Sequence, residues 1–359
     1  MSLSDHRKII DAIDDELLAL LDARAKAAET IGAIKREAGA ATLHDPEREE
    51  RVLSRLEAAA AGRFPKRAVR AVFREVISAC LSLEQPVAVT FLGPEGTFSH
   101  MAARSAFGLA ARYREAMTIE GVFDAVRTGD AAYGVVPIEN STEGSVTATA
   151  DALLESDLLV RNELVLEVAH ALLVRAGTTL GAIERVYSHP QPIGQCRVWL
   201  AKNLPRVQIV HTSSTAAAAR EALADEHGAA IASRLAAETM GGLDVLREGI
   251  HDRAENATRF LVIAKTDAPR TGKDKTTLAF SVKDGRGSLR GVLGVFDDAG
   301  LNLTKIESRP SRQKRWDYVF LADVEGHRED EPVAKAIAEL QARCEMVKVL
   351  GSYPRQELA

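Results

Sequence analysis

The spacing of the apolar residues changes twice along the chain, and no other feature of the sequence restricts the possible folds as strongly. From residue 3 to residue 84, apolar side chains recur every three or four positions, as in amphipathic helices. From Val87 onward the pattern becomes one of short apolar runs, each followed by a helical segment. The final segment reads as strand, helix, strand, strand, helix, strand. The sequence therefore predicts a multidomain protein with an all-α arm over 1–86, an α/β domain over 87–268 and an α+β domain over 269–359.

The composition excludes several classes of protein. A net charge of −5 without a long basic run argues against nucleic acid as the main partner. The N-terminus is polar and no run of eighteen apolar residues occurs, which predicts neither a signal peptide nor a membrane span. The three cysteines are far apart and the nine histidines lack paired-ligand spacing. We therefore expect a soluble, cytoplasmic protein that uses neither a metal nor another cofactor.

The first predicted helix, from about residue 4 to residue 37, is too long to bury its own apolar side. It would extend for roughly 50 Å at 1.5 Å per residue. Its apolar positions alternate in spacing between three and four, as in the seam of a coiled coil. This seam consists of Ile10, Ile13, Leu17, Leu20, Arg24, Ala27, Ile31 and Ile34. Because one helix cannot cover such a seam, we expect a second copy of the chain to do so, in a homodimer or a dimer of dimers.

Basic residues interrupt the apolar stripes of this region. Arg24 lies in the seam, Arg7 and Lys35 lie on the adjoining stripe, and Arg48 lies on the apolar side of a second helix that Pro46 opens. An unpaired buried cation costs several kcal/mol, so each of the four needs an anionic partner. Two interpretations remain open, a pocket for a small polyanion or ordinary pairing at an open edge with nearby acids: Asp14, Asp15 and Glu49.

Residues 1–86 resemble the all-helical chorismate mutase family, whose swapped dimers bind the dicarboxylate chorismate between three helices. The resemblance implies that the substrate contacts Arg7, Arg24, Lys35, Asp45, Arg48, Glu49, Cys80 and Glu84. The pericyclic rearrangement needs no nucleophile, only a compact conformer and positive charge near the developing enolate and ether oxygen. The catalytic roles implied fall on Arg24, Lys35 and Glu84. Some family members carry Ser and Gln in place of Cys80 and Glu84; a glutamate donates to the ether oxygen only when protonated, which favours activity at lower pH.

Four polar turns follow apolar strands in the central region. They are GPEGTFSH (93–100), PIENSTEGSV (137–146), SHPQPIGQC (188–196) and HTSSTAAAA (211–219). In α/β folds the carboxyl ends of strands and the N-termini of helices meet at one crevice, where free backbone N–H groups favour anions. Each turn taken alone is consistent with simple helix capping. Together, their Ser, Thr, Asn and Gln residues indicate a ligand site.

The first three of these turns, together with Ile250-x-Asp252-x3-Asn256-x-Thr258-Arg259-Phe260, resemble prephenate dehydratase over about residues 87–265. The resemblance implies two lobes like those of periplasmic ligand-binding proteins, with the second lobe at about 167–249 and the site in the cleft. Thr258 is then the proton donor to the departing hydroxyl as CO2 leaves, Arg259 holds a carboxylate and Phe260 anchors the strand. Residues implied to position the substrate are Thr97, Asn140, Ser141, Ser188, Gln191, Gln195 and Ser213, while His189 is either a second acid or a turn residue.

Residues 276–353 resemble the ACT domain, a ferredoxin-like βαββαβ module that binds amino acids. GRGSLRGVL (285–293) and NLTKIESRP (302–310) match the form attached to prephenate dehydratases, where it binds phenylalanine. The implied effector residues are Gly287, Ser288, Leu289, Asn302, Glu307, Ser308 and Arg309. The alternative is a ferredoxin-like domain whose ESRP turn only ends a strand.

The order of the three regions resembles the bifunctional chorismate mutase/prephenate dehydratases of phenylalanine biosynthesis. We therefore expect an isomerase and a carbon–oxygen lyase in one chain, with chorismate and prephenate as substrates and phenylalanine as feedback inhibitor. Two alternatives remain, a dehydratase with an inactive helical dimerisation arm and an amino-acid-responsive binding protein without turnover. Thr258 beside Arg259 favours an enzyme over a pure binder, because binding alone needs no hydroxyl acid there.

Overall fold

The computed structural model describes residues 2–38, 46–84, 86–252, 256–282, 285–310 and 318–356. The chain divides into two compact units, one formed by 1–88 with 104–112 and the other by 89–103 with 113–359. Within the described ranges, no helix has the length and apolarity that a membrane crossing requires.

Three helices build the first unit: α1 (Leu3–Glu37), α2 (Pro46–Ala59) and α3 (Lys66–Glu84). A capping box starts α1, in which Asp5 N–H donates to Ser2 Oγ and Ser2 N–H donates to the Asp5 carboxylate. Both α1 and α2 pack against α3. Leu53, Val69 and Ile77 are buried in this small core.

The seam of α1 is not covered within one chain. Its six large apolar residues, from Ile10 to Ile34, are between 44 % and 67 % exposed. Only Gly32 of the whole helix is buried. The sequence therefore correctly predicts a long helix whose apolar stripe its own chain leaves open.

The second unit contains a first mixed sheet, which carries the candidate site. Its strands are β1 (Ala88–Leu92), β2 (Arg112–Ala116), β3 (Tyr133–Asn140), β4 (Gly144–Ser145), β5 (Leu159–Glu167) and β11 (Ala257–Ala264). The order is β2-β1-β3-β11-β5, with β4 paired to β3. Its helices are α4 (Phe98–Phe107), α5 (Ile119–Thr128) and α6 (Thr147–Glu155). Strand β11 runs antiparallel to both neighbours, β3 and β5.

The residues between β5 and β11 form a second sheet. Its strands are β6 (Ala171–Arg175), β7 (Arg185–Ser188), β8 (Gln208–His211), β9 (Gly228–Ala232) and β10 (Leu243–Arg247), in the order β10-β6-β9-β7-β8. Its helices are α7 (Pro190–Gln195), α8 (Arg197–Asn203), α9 (Thr215–Ala224) and α10 (Arg234–Met240). The chain then returns through β11, which gives the predicted two-lobed α/β architecture.

The third sheet is the predicted βαββαβ module. It contains β12 (Asp274–Ser281), α11 (Ser288–Asp298), β13 (Leu303–Pro310), β14 (Tyr318–Glu325), α12 (Glu331–Arg343) and β15 (Met346–Pro354). The strands are antiparallel in the order β13-β14-β12-β15. Leu278, Phe280, Phe296 and Leu340 form the core between this sheet and its helices. The backbone of β15 closely approaches that of β5, since a Cβ on Gly351 would lie 2.2 Å from Val160 O.

Candidate active site

Thr258 and Asn140 form a cross-strand pair between β11 and β3. Both side chains are buried, each 9 % exposed. Asn140 Nδ2 lies 2.8 Å from Thr258 Oγ1 and 2.9 Å from Asn256 Oδ1. Because Oγ1 accepts a hydrogen bond from Asn140, the hydroxyl hydrogen of Thr258 remains available to another acceptor.

The turn that follows β3 fixes the orientation of the Asn140 amide. Asn140 Oδ1 accepts hydrogen bonds from the backbone N–H groups of Thr142 (2.9 Å) and Glu143 (3.1 Å). The amide oxygen is thereby engaged in an Asx turn, and the NH2 group is directed towards Thr258. The IENSTEG segment therefore serves to aim one donor at the threonine hydroxyl.

Gln195 of α7 is connected to this pair through Asn256. Asn256 Nδ2 donates to Gln195 Oε1 at 3.0 Å, and His170 Nε2 lies 2.7 Å from the same oxygen. His170 is 1 % exposed. Burial lowers the pKa of His170, its contact with Gln195 raises the pKa less, and His251 lowers it further, so the net shift is downward. The imidazole is therefore neutral near pH 7, and its Nε2–H is the donor to Gln195.

A continuous chain of contacts thus links His170, Gln195, Asn256, Asn140 and Thr258. Sequence reasoning selected three of these as site residues and missed His170 and Asn256. Asn256 stood two residues before Thr258 in the quoted motif, which was the available signal. His170 lies between β5 and β6 and carried no motif of its own.

Other residues implied for this site hold the local backbone. Ser141 Oγ accepts from Ala257 N–H at 3.0 Å, which ties the turn after β3 to the start of β11. The hydroxyl of Ser188 is fully buried and donates to Ile231 O at 2.7 Å.

The turns that begin α4 and α7 also use their side chains locally. Thr97 Oγ1 donates to Leu92 O at 3.3 Å. His189 is the N-cap of α7, where Nδ1 accepts from Gln191 N–H at 3.4 Å. Ser213 is exposed in the turn before α9. The observed contacts of His189 are those of a turn residue.

Arg259 points away from Thr258, to the opposite face of the sheet. Its Nε donates to Glu163 Oε2 at 2.7 Å, and its Nη2 lies 2.7 Å from Asp323 Oδ2 and 3.0 Å from the Tyr353 hydroxyl. Burial lowers the pKa of Arg259, but Tyr353, Asp323 and Glu163 raise it by more, so the net shift is upward. Phe260 is 1 % exposed and packs in the core. The structure therefore does not bring Arg259 together with the other predicted substrate ligands.

The candidate mutase residue Glu84 lies against Gly32 of α1. A Cβ at Gly32 would lie 2.9 Å from Glu84 Cγ, so the glycine makes room for this glutamate of α3. Among the described residues, Glu84 Oε2 is buried without a hydrogen-bond partner. Arg24 Nη1 donates to Val76 O at 3.3 Å, and Cys80 is buried.

The remaining candidate cations are spread along the helices. Arg7 and Lys35 are 28 positions apart on α1, which corresponds to about 42 Å at 1.5 Å per residue. Arg7 and Arg48 are exposed, whereas Lys35 and Glu49 are half-buried. The predicted N-cap Asp45 lies outside the described residues. One chain therefore cannot bring Arg7 and Lys35 to one small ligand.

The candidate effector residues separate into two groups. Gly287, with φ of 85°, caps the N-terminus of α11, which begins with Ser288 and Leu289, and Asn302 lies just before β13. On β13, Glu307 and Arg309 face the first sheet: Ser145 Oγ donates to Glu307 Oε2 at 2.6 Å and Arg309 Nη2 donates to Asp151 Oδ1 at 2.8 Å. Ser308 lies on the other face of β13, because side chains alternate along a strand.

Comparison with protein families assigns all three regions. The chorismate mutase type II model matches residues 6–85, the prephenate dehydratase model matches 89–268 and the ACT domain model matches 276–342.

Individual relatives agree with this order. The bifunctional chorismate mutase/prephenate dehydratase of Aquifex aeolicus is 49 % identical over 98 % of each chain. The structure of prephenate dehydratase from Arthrobacter aurescens in complex with L-Phe is 38 % identical, has a TM-score of 0.70 and covers 76 % of this chain and 92 % of that one. The structure of GqqA, described as a novel type of quorum quenching acylase, is 33 % identical, has a TM-score of 0.69 and covers 75 % and 98 %. The chain belongs to the family of bifunctional chorismate mutase/prephenate dehydratases.

Proposed function

We propose that this chain catalyses two consecutive reactions of phenylalanine biosynthesis. The helical region rearranges chorismate to prephenate, and the α/β region converts prephenate to phenylpyruvate, CO2 and water. Phenylalanine inhibits the second reaction through the ACT module. The observation that carries the dehydratase assignment is the buried Thr258 hydroxyl, which accepts a hydrogen bond from Asn140 and keeps its own hydrogen for a substrate.

In the dehydratase step one C–C bond and one C–O bond of prephenate break. The ring carboxylate leaves as CO2, its bonding electrons enter the ring, and the C4 hydroxyl leaves as water after receiving one proton. Thr258 donates that proton. A threonine is a weak acid, so aromatisation of the ring and prior alignment supply most of the driving force. The Asn140 N–H contact stabilises the charge that develops on Thr258 Oγ1.

His170 and Asn256 hold the Gln195 side chain in position and do not react themselves. Both engage Gln195 Oε1, so the NH2 group of Gln195 is turned the other way, where Nε2 lies 3.5 Å from Glu143 Oε1 and its second hydrogen can be donated to the carboxylate or keto oxygen of the substrate. The amide oxygen of Gln195 is thereby kept away from an anionic substrate. A neutral His170 suits this role, because only its Nε2–H is required.

The relative described as an acylase suggests a second chemistry for the same hydroxyl, with Thr258 as a nucleophile. A threonine nucleophile needs an adjacent base. Among the described residues, the only side chain that hydrogen-bonds Thr258 is the amide of Asn140, which is not a base. Dehydration therefore fits the observed contacts better than acyl transfer.

The mutase site is completed by two copies of the chain. The separation of Arg7 and Lys35 along α1, about 42 Å, supports a site in which one copy supplies Arg7 to residues of the other. The exposed seam of α1 supplies the dimer contact. The homodimer and the cytoplasmic location stay predictions, as do the domain boundaries at 86/87 and 268/269.

The test is a chorismate turnover assay that follows prephenate and phenylpyruvate separately. Wild type should produce phenylpyruvate, whereas Thr258→Val should accumulate prephenate and Thr258→Ser should recover part of the rate. A Thr258→Val chain that still makes phenylpyruvate at the wild-type rate would exclude the acid role of Thr258. Turnover of prephenate without turnover of chorismate would make the helical arm a dimerisation element only, and binding without turnover of either substrate would identify a ligand-binding protein.

A further inference from the structure

Two neighbouring cross-strand pairs on β3 and β11 face opposite sides of the sheet. Asn140 pairs with Thr258 and faces the candidate active site, and the next pair, Glu139 with Arg259, faces the third sheet. The catalytic hydroxyl and the Arg259 guanidinium are therefore attached to successive residues of one strand. A shift of the strand that moves the Arg259 side chain therefore also moves the Thr258 side chain.

The third sheet presents a matching pair. Lys305 on β13 lies opposite Asp323 on β14. Lys305 Nζ donates to Glu139 Oε2 at 2.8 Å, and Asp323 Oδ2 lies 2.7 Å from Arg259 Nη2. Each cation thus meets an anion across the contact. We call these four residues, Glu139, Arg259, Lys305 and Asp323, the charge cluster.

Three members of the charge cluster are largely removed from solvent. The side chain of Asp323 is 4 % exposed, that of Arg259 15 % and that of Lys305 17 %, whereas that of Glu139 is 39 % exposed. Burial raises the pKa of Asp323, but Arg259 and Lys275 lower it by more, so it is ionised in the folded protein. Losing one partner of such a buried pair leaves the other charge without compensation, which makes the arrangement sensitive to small movements.

Neutral hydroxyl groups fix the arrangement from the side of the third sheet. Tyr353 OH accepts from Arg259 at 3.0 Å and lies 2.6 Å from Thr277 Oγ1. Thr277 Oγ1 in turn donates to Asp323 Oδ1 at 2.7 Å. The guanidinium of Arg259 is therefore held directly by groups from β14 and β15, which Thr277 of β12 connects to each other, and by Glu163 from β5.

The strand that carries candidate effector residues is part of the same contact. Glu307 and Arg309 follow Lys305 on the same face of β13 and bind Ser145 and Asp151. A displacement of β13 on effector binding would reach Glu139 through Lys305, and hence Asn140, which is the next residue. Catalytic alignment is sensitive to shifts of about 1 Å.

We propose that Arg259 is a positioning residue for Thr258 rather than a ligand of the substrate, and that the charge cluster transmits phenylalanine binding to Thr258. This inference rests on the proposed function of both domains. It assigns the two halves of the Thr258-Arg259 motif to different tasks, chemistry and control. The two roles predict different kinetics. If Arg259 binds the substrate, replacing it should raise the KM for prephenate. If it positions Thr258, replacing it should lower kcat and leave KM nearly unchanged.

The experiment uses the full chain and three measurements on each variant: prephenate dehydration against phenylalanine concentration, phenylalanine binding by calorimetry, and chorismate mutase rate as a check of folding. The variants are Asp323→Asn, Tyr353→Phe and Arg259→Gln. Lys348→Met is the matched control, because Lys348 Nζ joins the third sheet to the C-terminal end of α6, donating to the carbonyl oxygens of Leu153, Leu154 and Ser156, but lies outside the charge cluster.

We expect Asp323→Asn to bind phenylalanine with a Kd close to that of wild type, yet to need about tenfold more of it for half-inhibition. Tyr353→Phe, which removes one hydroxyl and no charge, should show the same separation if Asp323→Asn fails to fold. Arg259→Gln should lower kcat with little change in KM, and Lys348→Met should be inhibited like wild type.

Three results would overturn the inference. They are wild-type inhibition of both Asp323→Asn and Tyr353→Phe, loss of inhibition in Lys348→Met of the same size, or an Arg259→Gln chain whose only defect is a raised KM. Failure of the proposed function is recognised separately, because Thr258→Val would then dehydrate prephenate normally when phenylalanine is absent, or wild type would bind phenylalanine without inhibition.

Discussion

Thr258 and Arg259 are sequence neighbours whose side chains lie on opposite faces of β11, the hydroxyl beside Asn140 and the guanidinium between Glu163 and Asp323. The two polar residues at the start of this buried strand therefore lie in different environments, one on each face of the sheet. Only the threonine belongs to the group of side chains that connects with Gln195. The arginine instead joins the strand to the C-terminal module.

Replacing Asn140 by Asp should remove the donor to Thr258 while keeping the shape of the side chain. Its Oδ1 can still accept from Thr142 and Glu143, so the turn should survive. We expect kcat for prephenate to fall by about 10²- to 10³-fold, the usual effect of losing one donor to a developing charge. Steady-state kinetics measure this, with Asn203→Asp as a control because, among the described residues, the Asn203 side chain bonds only Trp199 O within α8. A variant with an unchanged kcat would contradict the role given to Asn140.

Replacing His170 should separate a positioning role from a structural one. His170→Gln retains an N–H donor for Gln195 Oε1, whereas His170→Leu removes it and leaves Asn256 Nδ2 as the remaining described donor to this oxygen. We expect His170→Leu to lose up to about tenfold in kcat/KM, because Gln195 Oε1 loses one of its two described donors and a hydrogen bond contributes about 0.5–1.5 kcal/mol. His170→Gln should recover most of that loss. Equal defects in the two variants would indicate that only the volume of the imidazole matters.

His170 should also make stability depend on pH. Its pKa in the folded protein is below the ordinary value of 6.5, so below that pH the unfolded chain binds more protons. The stabilisation is complete above about pH 6.5 and is lost as the pH falls towards and through the lowered pKa. Thermal unfolding at pH 7.5 and 5.5 measures this. Wild type should lose more stability on acidification than His170→Gln, and identical losses would exclude a neutral buried His170.

A methyl group at Gly32 should disturb the mutase site alone. In Gly32→Ala the new Cβ would approach within 2.9 Å of Glu84 Cγ, so the glutamate has to move. We expect a clear fall in mutase kcat and an unchanged dehydratase rate on supplied prephenate. Gly62→Ala is the control, because a Cβ there meets nothing within 4 Å. A fully active Gly32→Ala chain would show that the position of Glu84 is not critical.

A charge in the seam of α1 should dissociate the proposed dimer and remove mutase activity. Leu17 is 52 % exposed in one chain, and burying an aspartate there against a second copy costs several kcal/mol. Light scattering should report a smaller species for Leu17→Asp, with dehydratase activity retained. Ala19→Asp, on the opposite side of the same exposed helix segment, should leave the assembly unchanged. Equal effects of both substitutions would place the contact elsewhere.

The sequence predicts those elements whose own residues carry the signal. The apolar runs of β3 and β11 and the seam of α1 need no tertiary information. The sequence does not predict five strands of the α/β region, β2, β4, β5, β6 and β10. Strand β6 contains the run ALLV, which is a readable signal, but β2 and β10 lie at sheet edges, where exposed charged residues interrupt any apolar run.

The site residues divide in the same way. Thr258, Asn140 and Gln195 belong to motifs that the sequence displays. His170 and Glu163 are polar residues that are buried because of partners distant in sequence, Gln195 for the first and Arg259 with Lys275 for the second. No local pattern reveals such a partner. The partners of the Arg259 side chain depend on which sheet covers each face of β11. This arrangement is defined by the tertiary structure and cannot be predicted from the local sequence.

The alternation of side chains along β11 has a consequence for how this segment can change over generations. Substitutions at one position alter either the chemistry or the connection to the C-terminal module, but insertion or deletion of a single residue before Thr258 would exchange the two faces and damage both together. We therefore expect this strand to tolerate substitutions better than insertions or deletions. The number of residues before Thr258 matters more for function than the identity of most of them.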